Sequence, residues 1–313
     1  MTCHGRVSVG RSAAMVASGG GAAASTAGFA HGFAHSQGRR PTMEDELLLG
    51  VPLADDVLLF GVFDGHAGRA AVQRLVEWIP QALRDAMAEG DPSAWPRLTP
   101  EAITKALLAV DERLLDASEA EGGWEDGATA LLAIMHAGEP RLPVQLVQLG
   151  DSQAVLCGAM GAEALCAQHR VGDPEEDARL RECGAETCEG RVVGNGRGVA
   201  VTRSLGDAPI KRVEASGLIA VPQVTVQVLC AADELLILGC DGLWDVMEPE
   251  EAWDLARKRG RSRDGAWDLQ VAATALVQGA LDRQTGDNVS VVLVGLKRPR
   301  APGAASGRAR GRT

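Results

Sequence analysis

The chain of 313 residues contains no tyrosine and only four phenylalanines. A core built on aromatic packing is therefore excluded, and Leu, Val, Ile and Ala have to fill the interior. No apolar run approaches the ~18 residues that a membrane span takes. The first residues also lack the apolar stretch of a secretory signal. The seven cysteines (3, 157, 166, 183, 188, 230 and 240) are odd in number and include no CxxC pair. That argues against a disulfide scaffold and reads as buried free thiols in a reducing compartment. A zinc site from His169, Cys183 and Cys188 is disfavoured, because the spacing fits no common pattern.

Acidic residues are missing from both ends. Residues 1–43 and 297–313 hold ten of the 31 Lys and Arg residues and none of the 42 Asp and Glu residues. The net charge of -11 is thus a strongly acidic middle between two basic ends. Net acidity argues against a nucleic-acid binder, since phosphate contacts need clustered cations. Residues 1–28, rich in Gly and Ala, read as a disordered tail, with an organelle targeting segment as the alternative. Residues 297–313 read as a basic disordered tail, leaving one domain over 29–296. The expected location is cytoplasm or nucleus, with chloroplast or mitochondrion as the alternative that the acid-free N-terminus allows.

What is present alternates between strand and helix patterns. Val57–Phe63 is a continuous apolar run and reads as a buried strand. Arg69–Met87 places Val72, Leu75, Val76, Ile79, Leu83 and Met87 on one helical stripe, with Pro80 as a candidate kink. Thr99 caps a second helix, with Pro100 at its first position and Ile103, Ala106, Leu107, Val110 and Leu114 facing inward. Strands follow near 128–136, 144–149 and 154–157. Asp173 opens a short helix and forms a capping box with Glu176. Further strands are expected near 198–202, 224–229, 235–238 and 289–296, with a helix pair at 249–258 and 266–281. Strands outnumber helices and the helices come in pairs, which predicts sheet packed on sheet with helices outside.

Five acidic motifs stand beside these strands: Glu44-Asp45, Asp64-Gly65-His66, Gly150-Asp151, Asp241 to Asp245, and Gly286-Asp287-Asn288. Asp-Gly is a common turn pair, so any one of them alone reads as a turn. Together they read as a two-metal site. Carboxylates brought close repel unless cations neutralise them, and oxygen-only ligation suits Mg²⁺ or Mn²⁺. Such sites serve phosphoryl chemistry.

Eight segments in order carry a family resemblance: GRRPTMED (38–45), VFDGHAG (62–68), GATA (127–130), LGDSQAVL (149–156), VAVTRSLGD (199–207), VPQV (221–224), LGCDGLWDV (239–247) and GDNVSV (286–291). The chain resembles the metal-dependent protein serine/threonine phosphatases of the 2C type. The resemblance implies an α+β fold, a four-layer αββα sandwich of two mainly antiparallel sheets flanked by paired helices. It implies two Mg²⁺ or Mn²⁺ ions, with a weaker third, and a metal-bridging hydroxide as nucleophile. Asp64 and the Gly65 carbonyl match metal ligands, as do Asp241 and Asp287. Glu44 and Asp45 match the acids that hold the second metal and its waters. Asp151, Asp241 and Asp245 match the third site. Arg40 matches the clamp on the substrate phosphate, and His66 the general acid. The implied partners are phosphoproteins, with no nucleic acid and no membrane, and the chain is expected to be a monomer.

The chain departs from the family pattern at Ala67, at Gln153 and at Gln168-His169-Arg170-Val171, the last two beside the expected third metal. Residues 208–220 lack the Trp with which one plant subgroup contacts hormone receptors. Two other readings compete. A catalytically silent member acting as a binding module would have lost metal carboxylates, whereas Glu44, Asp64, Asp241 and Asp287 are all kept. A two-metal nuclease fits the carboxylates but not the acidic surface.

Overall fold

A computed structural model describes residues 29–91, 96–136 and 143–296. The expected tails, 1–28 and 297–313, lie outside the described residues. In chain order the main strands are β1 (His31–Ser36), β2 (Glu46–Ala54), β3 (Val57–Phe63), β4 (Ala130–His136), β5 (Pro143–Leu149), β6 (Gln153–Gly158), β7 (Gly161–Ala164), β8 (Gln223–Val228), β9 (Asp233–Gly239) and β10 (Val289–Gly295). The main helices are α1 (Ala70–Glu89), α2 (Pro100–Ala120), α3 (Pro174–Cys183), α4 (Pro249–Gly260) and α5 (Leu269–Asp282). One five-stranded sheet has the order β1-β10-β9-β6-β7 and the other β8-β5-β4-β3-β2. All their pairings are antiparallel.

The apolar run of β3 explains the layering. Successive side chains of a strand point to opposite faces. Leu59 and Phe63 pack with Leu75, Ile79 and Leu83 of α1 and Ile103, Leu107 and Leu114 of α2. Leu58, Phe60 and Val62 pack with Leu156, Leu236, Leu238, Val292 and Val294 of the other sheet. That sheet turns Val155, Leu235, Ile237, Val291 and Leu293 toward Ala252, Ala256, Leu276 and Val277 of α4 and α5. Both sheets are therefore covered on both faces, and the expected αββα sandwich is observed. Burying each Leu, Ile or Phe fully stabilises the fold by about 1.5–3 kcal/mol. Ala and Gly let the α4–α5 pair come close: a Cβ on Gly260 would sit 2.5 Å from the Ala272 Cβ.

Local expectations meet mixed outcomes. Thr99 accepts from the Ala102 N–H and Pro100 begins α2. Pro80 lies inside α1, which continues through it. The capping box at α3 is absent. Asp173 does cap, accepting from Glu175 and Glu176 N–H groups, but its own N–H goes to the Arg170 carbonyl. Glu176 is instead buried against Thr202, Arg179 and Arg203. Only half of the described thiols are buried: Cys157, Cys166 and Cys240 are, whereas Cys183, Cys188 and Cys230 are exposed.

Candidate active site

The sheet registers bring the acidic motifs to one end of the sandwich. Glu46 pairs with Phe63 and Ala130 with Leu149 in one sheet. Gly239 pairs with Gln153 and Ser36 with Val289 in the other. Residues 150–152 join the sheets there, so the segments at 37–45, 64–69, 150–152, 240–245 and 286–288 converge. They line a cleft of about 560 Å³ with Arg40, Glu44, Asp64, Gly65, His66, Asp151, Asp241 and Asp287 at its wall. A separate flap of α3 and a small three-stranded sheet adds Arg191 and Arg197.

Close backbone approach makes this convergence possible. A Cβ on Gly65 would lie 2.4 Å from the Glu44 carbonyl oxygen, and one on Gly242 would lie 1.9 Å from that of Asn288. Only glycine fits at either place. Thr129 fixes the Asp64 backbone: its N–H donates to the Asp64 carbonyl at 2.9 Å, and its hydroxyl accepts from the Asp64 N–H at 3.3 Å. Asn288 ties down the Arg40 loop. Its amide donates to the Gln37 and Thr42 carbonyls, each at 2.9 Å, and its oxygen accepts from the Glu44 N–H at 2.8 Å.

Ligand-capable oxygens of Asp64 and Asp241 lie within 4.8 Å of each other and of the Cys240 sulfur. Asp45 is buried beside them, and neither of its carboxylate oxygens has a donor in hydrogen-bonding geometry, although the Ser290 hydroxyl and the Cys240 thiol lie near enough to favour its charged form. The Asp241 Oδ1 is buried and unpartnered as well. Burial, with the nearby charges of Asp287 and Asp241, pushes Asp45 up to about 7. Burial and the charges of Asp151, Asp287 and Asp245 push Asp241 up to about 7. Asp64 is raised well above the carboxylate range by burial and by Asp45, Asp241, Asp151 and Asp287. Orphaned buried carboxylate oxygens are costly unless a cation meets them. An all-oxygen set of this kind fits a hard divalent cation. Cys240 is fully buried and its thiol is raised well above its ordinary range by burial and the carboxylates. It accepts from the Ser290 N–H at 3.1 Å and packs as an inert group.

His66 has a partner that sequence reading did not single out. Its Nε2 lies 2.6 Å from Oδ1 of Asp207. Asp207 is buried, left-handed at φ 63°, and also accepts from the Ser204 hydroxyl. Burial alone would lower the His66 pKa, but the Asp207 charge and hydrogen bond outweigh it and raise it. Asp207 itself is lowered despite burial, by His66 and Ser204. Its carboxylate is therefore ionised, and the His66 Nε2 donates. A Cβ on Gly127 would collide with Asp207 Oδ2 at 2.1 Å, so the GATA glycine makes room for this pair.

Of the remaining expected residues, Glu44 accepts from the Thr42 hydroxyl at 2.7 Å and the others are ion-paired. The Arg40 guanidinium is half-exposed at the cleft rim and donates to Asp287 Oδ2 at 2.6 Å. Arg170 reaches all three acids of the expected third site, donating to Asp151, Asp241 and Asp245.

Residues 29–289 match the family model for protein phosphatase 2C. The chain belongs to the protein phosphatase 2C family, whose members are metal-dependent hydrolases of phosphoproteins. It is 34% identical over 298 residues to a probable protein phosphatase 2C 68 of Oryza sativa subsp. japonica, covering 87% of this chain and 79% of that one. It is 31% identical over 301 residues to protein phosphatase 2C 57 of Arabidopsis thaliana, covering 85% of this chain and 75% of that one. The fold is similar to a crystal structure of serine-threonine phosphatase 2C from Toxoplasma gondii. That likeness has a TM-score of 0.71 at 23% identity, over 86% of this chain and 95% of that chain. No helix among the described residues is long and apolar enough to cross a membrane.

Proposed function

We propose that the chain hydrolyses phosphoserine and phosphothreonine in proteins, using Mg²⁺ or Mn²⁺ held by Glu44, Asp45, Asp64, the Gly65 carbonyl, Asp241 and Asp287. The observation that carries this reading is the set of buried, unpartnered oxygens on Asp45 and Asp241 beside Asp64. Bound there, divalent cations supply a water acidic enough to act as nucleophile near neutral pH and neutralise charge on the phosphate.

The chain's own residues do the rest. Arg40 stands at the cleft rim, where its planar fork binds two phosphate oxygens and stays charged. Its exposed pair with Asp287 is weakly held, so the guanidinium is free to turn to a phosphate. Against the effect of burial, Asp207 raises the His66 pKa above its ordinary value, which favours the protonated imidazole. With Nε2 committed to Asp207, the proton left to give is on Nδ1, and it goes to the departing Ser or Thr oxygen. No cysteine takes part, since Cys240 is buried as a neutral thiol.

Purified protein should hydrolyse phosphoserine and phosphothreonine peptides with added Mn²⁺ or Mg²⁺ and stop in excess EDTA. Undiminished turnover in EDTA would defeat the reading. A catalytically silent binding module is disfavoured, because every carboxylate named here is present and convergent. The proposed location is cytoplasm or nucleus; a fusion protein imaged with and without residues 1–28 tests whether that segment directs the chain to an organelle.

A further inference from the structure

Each of the three acids matched to a third metal already gives one oxygen to a protein cation. Arg170 Nε donates to Asp151 Oδ2 at 2.7 Å, and its Nη2 donates to Asp241 Oδ2 at 3.3 Å and to Asp245 Oδ1 at 3.0 Å. Asp241 is split between two tasks: Oδ2 meets Arg170, while the buried Oδ1 has no hydrogen-bond partner and faces the cation-binding role proposed above. Asp151 is buried, and its Oδ2 already has a charge-assisted partner.

We infer that Arg170 stands in for the third cation in this chain, a built-in guanidinium that neutralises Asp151, Asp241 and Asp245 and leaves the protein a two-metal centre. The inference rests on the cation-binding reading above. The segment that carries Arg170 departs from the family pattern, which has Lys there, so what this chain adds is a forked guanidinium that meets three carboxylates; the segment is stitched to the strand end that carries Asp151. His169 N–H donates to the Gly150 carbonyl at 3.0 Å, and Gly150 N–H donates back to His169 Nδ1 at 3.2 Å. Gln168 Nε2 donates to the Asp151 carbonyl at 2.9 Å. Thr202 N–H holds the other side through the His169 carbonyl at 2.9 Å. Gln168 and His169 thus act as positioning residues, fixing the backbone from which the guanidinium reaches the acids. A tethered cation is present at any metal concentration, whereas a third ion would have to be captured from solution at each turnover.

The test is Mn²⁺ stoichiometry by equilibrium dialysis of the full chain with the metal measured directly. Wild type should saturate at two ions per chain. Arg170→Ala should gain a third, weaker ion, and Arg170→Lys, which brings back the ammonium of the family pattern without the fork that meets three acids, should gain one as well. Arg170→Gln serves as the near-isosteric variant if Arg170→Ala does not fold. Three ions on wild type would overturn the assignment of Arg170 alone, as would folded neutral variants that stay at two. Fewer than two on wild type would overturn the two-cation reading and this inference with it.

Discussion

Asp207 accepts the His66 Nε2–H at 2.6 Å across 141 residues of sequence. The pair joins the turn after β3 to the flap side of the cleft, and it sets the charge of the proposed proton donor. Asp207→Asn keeps the size and the left-handed backbone preference but removes that charge. His66 should then hold its proton less well at neutral pH. We expect kcat on a phosphothreonine peptide to fall ~10-fold or more, with activity partly recovered toward lower pH. Turnover of p-nitrophenyl phosphate, whose leaving group needs no proton, should fall much less. Equal losses on both substrates would count against the donor role.

Arg40 and Asp287 form a pair in which the Arg side chain is 53% exposed. Arg40→Ala should therefore change stability by less than ~1 kcal/mol. Losing charge-assisted bonds to phosphate should lower kcat/KM by about 10- to 100-fold. Arg40→Lys should restore only part of this, because an ammonium lacks the two-pronged fork. Steady-state kinetics beside urea denaturation separate the two effects.

The crowded carboxylates make metal-free protein less stable than it could be. Asp64→Asn removes one of the repelling charges, and its thermal midpoint in EDTA should lie above that of wild type. Mn²⁺ should raise the wild-type midpoint by linkage and leave that of Asp64→Asn nearly unmoved. The same variant, like Asp64→Ala and Asp241→Ala, should be inactive. A lower midpoint for Asp64→Asn in EDTA would refute the account of repulsion.

Glu176 offers a pH test away from the cleft. Burial opposes its ionisation, but hydrogen bonds from Arg203, Thr202 and Arg179 bring its pKa down to about 2. A carboxyl that is more acidic when folded stabilises the protein above its unfolded pKa near 4.5 and loses that contribution as pH falls toward about 2. The contribution is on the order of 3 kcal/mol. Glu176→Gln should lower stability at pH 6 and flatten its decline between those two values. Urea midpoints across that range would show an unchanged slope if the cluster were unimportant.

Much of this was legible in the sequence because local pattern and tertiary role agree. The β3 run is apolar throughout because both its faces are covered, and Thr99-Pro100 works as a local cap whatever lies around it. Asp64, Asp241 and Asp287 were legible because a strand end fixes where the next carboxylate stands. The rest depends on contacts that no local window contains. Asp207 reads as part of a Gly-Asp turn until the fold brings it to His66. Glu176 fits a capping box by spacing, yet two arginines and a buried hydroxyl outcompete the single N–H of Asp173. Arg170 reads as a departure from a motif, and only the fold shows three carboxylates around it. The glycine at 127 carried a signal, since a residue that must lack a Cβ marks a close approach.

The tether at Asn288 has a consequence for how the protein is made. It joins residues 37–44 to a position some 250 places later, and β1 completes its sheet only by pairing with β10. The first acids of the cleft are therefore synthesised long before the strand that secures them. Loop closure over such a separation comes late in folding. A nascent chain halted before Asp287 would lack that carboxylate and the Asn288 tether that holds the Glu44 loop. Activity should thus appear only once β10 has been made.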